Sequence, residues 1–511
     1  MASSTMRLTG LMSGMDTESM IQQLVAAKQT KVDDAKKAQT KLEWKQTAWK
    51  DLNTKIKNLQ SKYLSNMRLE SAYSQRTTKI SDSTAASVIT GDGAMKGVQT
   101  LQVTQLAKTA YMTGGKVGFK DGVSSDTKLT TLTKLSFLGV GKDKAEPNFG
   151  DDTKLTIQNG DTSVDLEITS ETSISDVLSK LKEAGLNANF DTTQQRFYIS
   201  AKESGDTGNF SITASGTGAD DLLQSLGFSD ANYIKGQDSV IQLNGTKYTS
   251  DTNVFSINGL TITALKETTE DVTLTTQDDV DGVYDMIKNF LKEYNSLINE
   301  MDKLYNADSA KGYEPLTDDE KDSMSDTEVE KYETKIKDAL LRRDSNLSSI
   351  SSAFKEIMGG GIEVNGKTMY LSNFGIETLS YFTAAENEKN AYHINGDADD
   401  SSTSGNADTL KSMISSDPDT VISFFSTLSK KMYDKMNEFS KSVEGYRSYG
   451  NFYDDKKMKS DYDDYTTKIK ELEEKLNDYE DKWYSKFSKM ETAMAKLQSN
   501  SSAVTSLLGG S

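Results

Sequence analysis

The chain has 511 residues, enough for roughly three or four domains, and its 35% hydrophobic content suits several small cores better than one large one. Its 59 basic and 77 acidic side chains leave a net charge of −18, which opposes a broad phosphate-binding surface and excludes nucleic acid as a partner. There is no cysteine and a single histidine, His393, so thiol nucleophiles, thiolate metal sites, His-based triads and zinc clusters are excluded by inventory, and no catalytic, cofactor or metal residue is assigned.

At the N-terminus Arg7 is the lone early basic residue and no continuous apolar run follows it, so a cleaved signal peptide is not expected. No stretch approaches the roughly 18 apolar residues of a membrane span, so membrane insertion is not expected either. Sequence alone points to the cytoplasm unless export uses a route without a cleaved signal. Gly10 and Gly14 lie among small polar residues, and Asp16 then stands at an N-cap position ahead of Met20, Ile21, Leu24 and Val25. The spacing predicts a helix from Thr17 to about Tyr73. Within it Leu42, Trp49, Ile56 and Tyr63 keep the a register of a coiled coil, and Leu52 and Leu59 keep d.

From about Thr77 to Thr276 glycine becomes frequent and the hydrophobic period drops to two: Val98, Leu101 and Val103; Leu155 and Ile157; Val164, Leu166 and Ile168; Val272 and Leu274. One helix interrupts this β-rich region, capped by Thr172 or Ser173, carrying Ile174, Val177, Leu178 and Leu181, and closed by Gly185. That strand-helix-strand unit reads as a small α+β domain.

Helical spacing returns from Val283 to about Tyr305, and a helical domain follows with a short β interruption near residues 362 to 394. The charged stretch from Asp318 to Lys337 reads as a solvated helix and loop, and the acidic run from Asn395 to Asp408 as a mobile loop. At the C-terminus every seventh residue is apolar or aromatic: Tyr462, Ile469, Leu476, Trp483, Met490, Leu497 and Val504. Tyr465, Leu472, Tyr479, Ala493 and Leu507 supply most d positions, and Lys486 and Asn500 interrupt them. At about 1.5 Å per residue the stretch from 462 to 504 makes a rod of roughly 65 Å. Two long helices thus bracket the chain. Either they pair antiparallel within one molecule, with the middle of the sequence as a head at one end, or each joins some other bundle.

Little else carries chemistry. Asp397, Asp399 and Asp408 fall at positions 1, 3 and 12 of an EF-type calcium loop, but Ser402 replaces its glycine and no glutamate closes it. His393 reads as a surface or packed residue, and Trp44, Trp49 and Trp483 as core or interface residues of the terminal helices.

Several segments, in order, resemble the flagellar hook-associated protein 2 family, the bacterial flagellar filament cap proteins. GLMSGMDTESMIQQLV (Gly10 to Val25) is similar to that family's opening, with Met15 where leucine is usual, and LEWKQTAWKDLNTKI (Leu42 to Ile56) to its next helix. GVQTLQVTQLAKT (Gly97 to Thr109) resembles the strand that enters the head, TSISDVLSKLKEAGLNANFD and its sequel to Phe228 the outer head, and VFSINGLTITALKET (Val254 to Thr268) the returning strand pair. FLKEYNSLI, YEPL, NFGIET, DPDTVISFF and the terminal KWYSKFSKMETAMAKLQSNSS follow where the family has counterparts. The insert around Asp318 to Glu333 is longer and more charged than the family's usual segment.

The resemblance implies an α+β multidomain fold with long terminal coiled-coil helices, a helical bundle-like leg domain and β-rich head domains inserted in the middle. Expected divisions are 1–45 with 456–511 as a terminal coiled coil ordered on assembly, 46–76 with 279–455 as the leg, 77–110 with 237–278 as the inner head, and 111–236 as the outer head. It implies a non-enzymatic homo-oligomer at the distal tip of the filament, exported unfolded by the flagellar route with an export chaperone. Flagellin and the hook-filament junction proteins would be its neighbours, and flagellin insertion beneath the cap would serve filament elongation and motility. The alternative is a surface adhesin whose head binds host mucin, surface glycans or another surface. The expected assembly interface is Leu42, Trp49, Ile56, Tyr63, Tyr462, Ile469, Leu472, Leu476, Trp483, Met490, Leu497 and Val504.

Overall fold

The computed structural model describes residues 16–91, 93–124, 126–380, 382, 384–385 and 388–508, without the side chains of 506–508. Gly10, Gly14 and Met15, and the Leu507 side chain expected at a d position, therefore lie outside what is described. The chain divides into two compact units, residues 1–73 with 280–511 and residues 74–279. It passes from one to the other twice.

The first unit is helical. Its N-terminal helix, Thr17–Asn58, starts where Asp16 accepts a hydrogen bond from the Ser19 amide, satisfying one of the four amides that a helix start leaves open. The regular helix does not run on to Tyr73 as the sequence suggests. Leu59–Leu64 form a π-helical turn, which inserts one residue into the repeat, so Leu64 and Met67 become buried while Tyr63 is only half-buried. A 54-residue helix, Asp455–Leu508, closes the chain. Between them Val280–Tyr305, Ser345–Gly359 and Pro418–Phe439 pack against Trp49, Leu52, Ile56 and Leu59 in one hydrophobic core. Small hairpins at Ile362–Val364 with Lys367–Met369, and Ile376–Thr378 with Tyr392–Ile394, supply the short β interruption.

The two acidic segments fare differently. The charged stretch forms mostly exposed helices, Asp318–Asp322 and Asp326–Asp338, joined by a short loop, as the sequence suggests, except that Glu333 is buried between Lys321 and Lys337, each 3.1 Å away. The run 395–408 is not a free loop. Lys288 reaches Asp397 at 2.6 Å and Asp399 at 2.7 Å, His393 Nδ1 lies 2.6 Å from Asp400, and Asp408 caps the helix Thr409–Ser416. A lysine ammonium thus holds two carboxylates that the calcium reading offered to a metal, and among the described residues no cluster of three or more His, Cys, Asp or Glu is placed to hold a metal ion.

The second unit is antiparallel β with two cores. A five-stranded sheet, in the order Arg76–Ile80, Val272–Asp278, Gly97–Gln105, Ser239–Leu243 and Thr246–Ser250, and a three-stranded sheet, Val254–Ile257, Leu260–Ala264 and Ala86–Thr90, enclose Leu101, Val103, Ile241, Ile262 and Leu274. Val98 lies one step out of phase with Leu101 and Val103 and points to solvent, 69% exposed, instead of joining them. The hairpin at Asn258-Gly259 turns through two positive φ values, and a Cβ on Gly259 would stand 2.3 Å from the Ala94 amide nitrogen, so only glycine fits there. The second core lies between a four-stranded sheet (Asn232–Ile234, Thr109–Thr113, Arg196–Ser204, Asn187–Asp191), a three-stranded sheet (Thr162–Glu167, Lys154–Asn159, Phe210–Ser215) and the helix Ile174–Glu183. Ser173 and Asp176 form the capping box of that helix, and Gly185 follows it with φ +84°.

Candidate functional site

The two terminal helices form an antiparallel hairpin. Going up the N-terminal helix the partner numbers fall: the Glu18 carboxylate accepts from the Tyr484 hydroxyl, Lys28 lies over the Tyr479 ring, Lys36 pairs with Glu473, and Gln46 donates to the Met458 carbonyl. Of the two pairings open from sequence, the antiparallel one within a single molecule is therefore the one adopted.

The seam is not the one the apolar repeat suggests on the N-terminal side. Gln39 donates to the Tyr462 carbonyl and to Thr466 Oγ1 at 2.7 Å, Gln46 to the Met458 carbonyl at 2.8 Å, and Asn53 accepts from the Phe452 amide at 2.9 Å. With Val32, 1% exposed, these residues repeat every seven positions. That period was visible in the sequence, but a polar heptad gives no hydrophobic signal. Trp49 and Ile56 meanwhile turn into the helical core, each 0% exposed, while Leu42 stays half-buried.

On the C-terminal helix the expected positions are distributed along the seam and past its end. Ile469 is 8% exposed; Tyr462, Leu472, Leu476, Trp483 and Met490 are half-buried. Phe487, which the heptad reading omitted, is 8% exposed and packs its ring tilted against Trp483, with centroids 6.1 Å apart. Lys486, taken from sequence as a break in the d series, lies 4.3 Å over the Trp483 ring, a cation–π contact that keeps an apolar surface covered at a charged position. Leu497 and Val504 are exposed, at 68% and 52%, because the helix extends past the first described turn of its partner.

Lysines tie the charged insert to the hairpin. Lys37 pairs with Glu320 at 2.8 Å, Lys41 with Glu314 at 3.3 Å, Lys45 with Asp344 at 2.8 Å, and Lys337 lies 4.5 Å over the Trp44 ring. Hydrogen bonding from Lys37 holds the Glu320 carboxyl below its ordinary pKa. Burial works against the charge of Glu333, but Lys337 and Lys321 outweigh it and hold that pKa low as well.

Residues 236–499 match the family described as "Flagellar hook-associated protein 2 C-terminus", and residues 13–110 match "Flagellar hook-associated protein 2 N-terminus". The chain belongs to the flagellar hook-associated protein 2 family. Among its relatives, flagellar hook-associated protein 2 of Halalkalibacterium halodurans is 25% identical over 397 residues, 73% of each chain. That of Thermotoga maritima is 25% identical over 466 residues, 87% of this chain and 69% of its own. The solved D1-D2-D3 domains of the Escherichia coli flagellar cap protein FliD are 18% identical with a TM-score of 0.47, covering 76% of this chain and 95% of that one. This is a protein of the bacterial flagellum with a structural role, and no helix among the described residues is long and apolar enough to cross a membrane. Neither the family nor these relatives lend support to the adhesin alternative.

Proposed function

We propose that the chain is a subunit of the flagellar filament cap, reaching the distal tip through the flagellar export route with the help of a chaperone. Copies assemble there, and exported flagellin folds and inserts beneath them, so that the filament elongates. Flagellin and the hook-filament junction proteins are its neighbours. The observation that carries this reading is the match of residues 236–499 to the hook-associated protein 2 family, and the hairpin of two long helices agrees with it. The work is mechanical: a long amphipathic helix with a polar seam is marginal alone and gains order by docking against other helices.

The division of labour follows the expected domains, with 1–45 and 456–511 as the segment that orders on assembly, 46–76 and 279–455 as the leg, and 77–278 as the head. Trp49 and Ile56, buried in the helical core, then support the leg from within, while Leu42, Tyr63 and the positions from Tyr462 to Val504 carry assembly contacts. Deleting the gene from its bacterium is expected to leave hooks without filaments and unpolymerised flagellin in the medium. Filaments of normal length in that strain would overturn the reading.

A further inference from the structure

Residues 306–342 leave the helical core and return to it at one point. The Arg343 amide donates to the Tyr305 carbonyl, the Arg343 guanidinium lies 5.0 Å over the Tyr305 ring, and Arg343 turns back with φ +57°. Between those ends the excursion braces itself. Capping boxes at Thr317 with Glu320 and at Ser325 with Glu328 start its two helices, and Tyr313 packs on Tyr332 with ring centroids 5.0 Å apart. No residue from 306 to 340 joins the hydrophobic core around Trp49, and among them only Pro315, Glu333 and Ile336 are buried.

Charge joins this excursion to the N-terminal helix. From 306 to 344 there are 12 acidic and 7 basic residues, against 6 lysines and 3 acidic residues from 28 to 45, so the two surfaces attract. Lys37, Lys41 and Lys45 stand four residues apart on one helix face and take Glu320, Glu314 and Asp344, while Lys337 covers the Trp44 ring. A crevice of about 700 Å³ nevertheless stays open here, bounded by Ala38, Lys41, Leu42, Glu314, Ala339 and Leu340. Partly exposed ion pairs add little each and weaken as salt rises, because the Debye length falls from about 10 Å at 0.1 M to about 3 Å at 1 M. Buried apolar side chains, which salt does not loosen, are limited to Pro315 and Ile336.

Independently of the cap reading, we infer that residues 306–342 are a flap whose closure over the N-terminal helix is set by ionic strength. It is shut in dilute salt, opens in concentrated salt, and swings on Tyr305 and Arg343. Opening bares Leu42, Trp44 and the three lysines while the core around Trp49 stays intact.

Trp44 supplies the readout. Fluorescence of the full-length parent and of its Trp44→Phe variant is quenched with acrylamide in about 0.05 M and about 1 M NaCl, and the difference between the two chains reports Trp44. Acrylamide is neutral, so salt does not screen its approach. Quenching of Trp44 is expected to rise roughly twofold or more between the two salt concentrations, with helix content by circular dichroism unchanged. Lys37→Glu with Lys41→Glu is expected to give the open level already in dilute salt and to lose the salt dependence. Adding Glu314→Lys to Lys41→Glu should restore both closure and salt dependence, which a defect in packing would not allow. Salt-independent quenching in the parent overturns the inference, as does a double lysine variant that stays closed or a charge swap that fails to restore closure. Helix content lost together with the rise in quenching would mean unfolding of the unit, and overturns it as well.

Discussion

Trp49 and Tyr453 stack with ring centroids 5.7 Å apart and planes 8° from parallel. Trp49 belongs to the N-terminal helix and Tyr453 to the turn that leads into the C-terminal one, so this pair clamps the root of the hairpin. Next to it Asn53 accepts the Phe452 amide, and Phe452 is itself fully buried. Trp49→Ala removes the largest fully buried side chain of the unit and is expected to cost about 3–5 kcal/mol of stability. Denaturant unfolding read by far-ultraviolet circular dichroism measures it, and a loss below about 1 kcal/mol would show that the clamp contributes no more than an ordinary surface residue.

The polar seam sets register more than strength. Gln46→Ala deletes a hydrogen bond to the Met458 carbonyl, worth about 1 kcal/mol net, and leaves that carbonyl to find water. Gln39→Leu with Gln46→Leu replaces the polar heptad by an apolar one that can slide by a turn. The double variant is therefore expected to keep its helix content while hydrogen exchange speeds up along residues 458 to 470. Unchanged exchange there would mean that the apolar positions of the C-terminal helix alone fix the pairing.

Much of this was legible in residue order. Asp16, Ser173 and Gly185 marked helix ends, because a cap needs a particular side chain at a particular place and that requirement is local. The C-terminal heptads announced the hairpin. What the sequence hid were choices made by tertiary neighbours. Trp49 and Ile56 have the right spacing for a coiled-coil seam, yet the helices 280–305 and 418–439 claim that face, so the seam rotates onto Gln39, Gln46 and Asn53. A π turn at Leu59–Leu64 takes Tyr63 out of register with nothing in its composition to signal it. Lys288 settles the acidic run from 109 residues away, a pairing no local pattern reports.

Acid is expected to release the charged insert from the hairpin before the rest of the unit unfolds. The Glu328 carboxyl is held below its ordinary value by the Ser325 hydroxyl and amide, Glu320 by Lys37, and Glu333 by its two lysines against the effect of burial. A carboxyl whose folded pKa is depressed contributes stability above its unfolded value, here 4.5, and that contribution fades as pH falls through the lower folded value. Limited proteolysis between residues 306 and 340 should therefore rise as pH drops below about 4.5, with an acid-active protease reading the cleavage. Glu333→Gln should bring on the same cleavage at neutral pH at a cost of about 1–2 kcal/mol, discounted because both lysines are half exposed. Equal cleavage at pH 7 and pH 4 in the parent would remove the ion pairs as the cause.

Assembly and folding should separate on the C-terminal helix. Leu476 and Trp483 are half-buried against a single partner helix, whereas the β-rich unit, residues 74–279, has its own two cores. Leu476→Asp or Trp483→Asp places a charge in the seam, and for Trp483 also removes the ring that Lys486 covers and Phe487 packs against. Neither change touches the core around Leu101 and Ile241 or the one around Ile157 and Phe197. Each variant is thus expected to retain the parent's protection of residues 74–279 in hydrogen exchange while losing oligomers in light scattering and filament growth and swimming in the bacterium. A Trp483→Asp strain with full-length filaments would mean that the outer half of the hairpin takes no part in elongation, and an unfolded β-rich unit would mean that the two units are not independently stable.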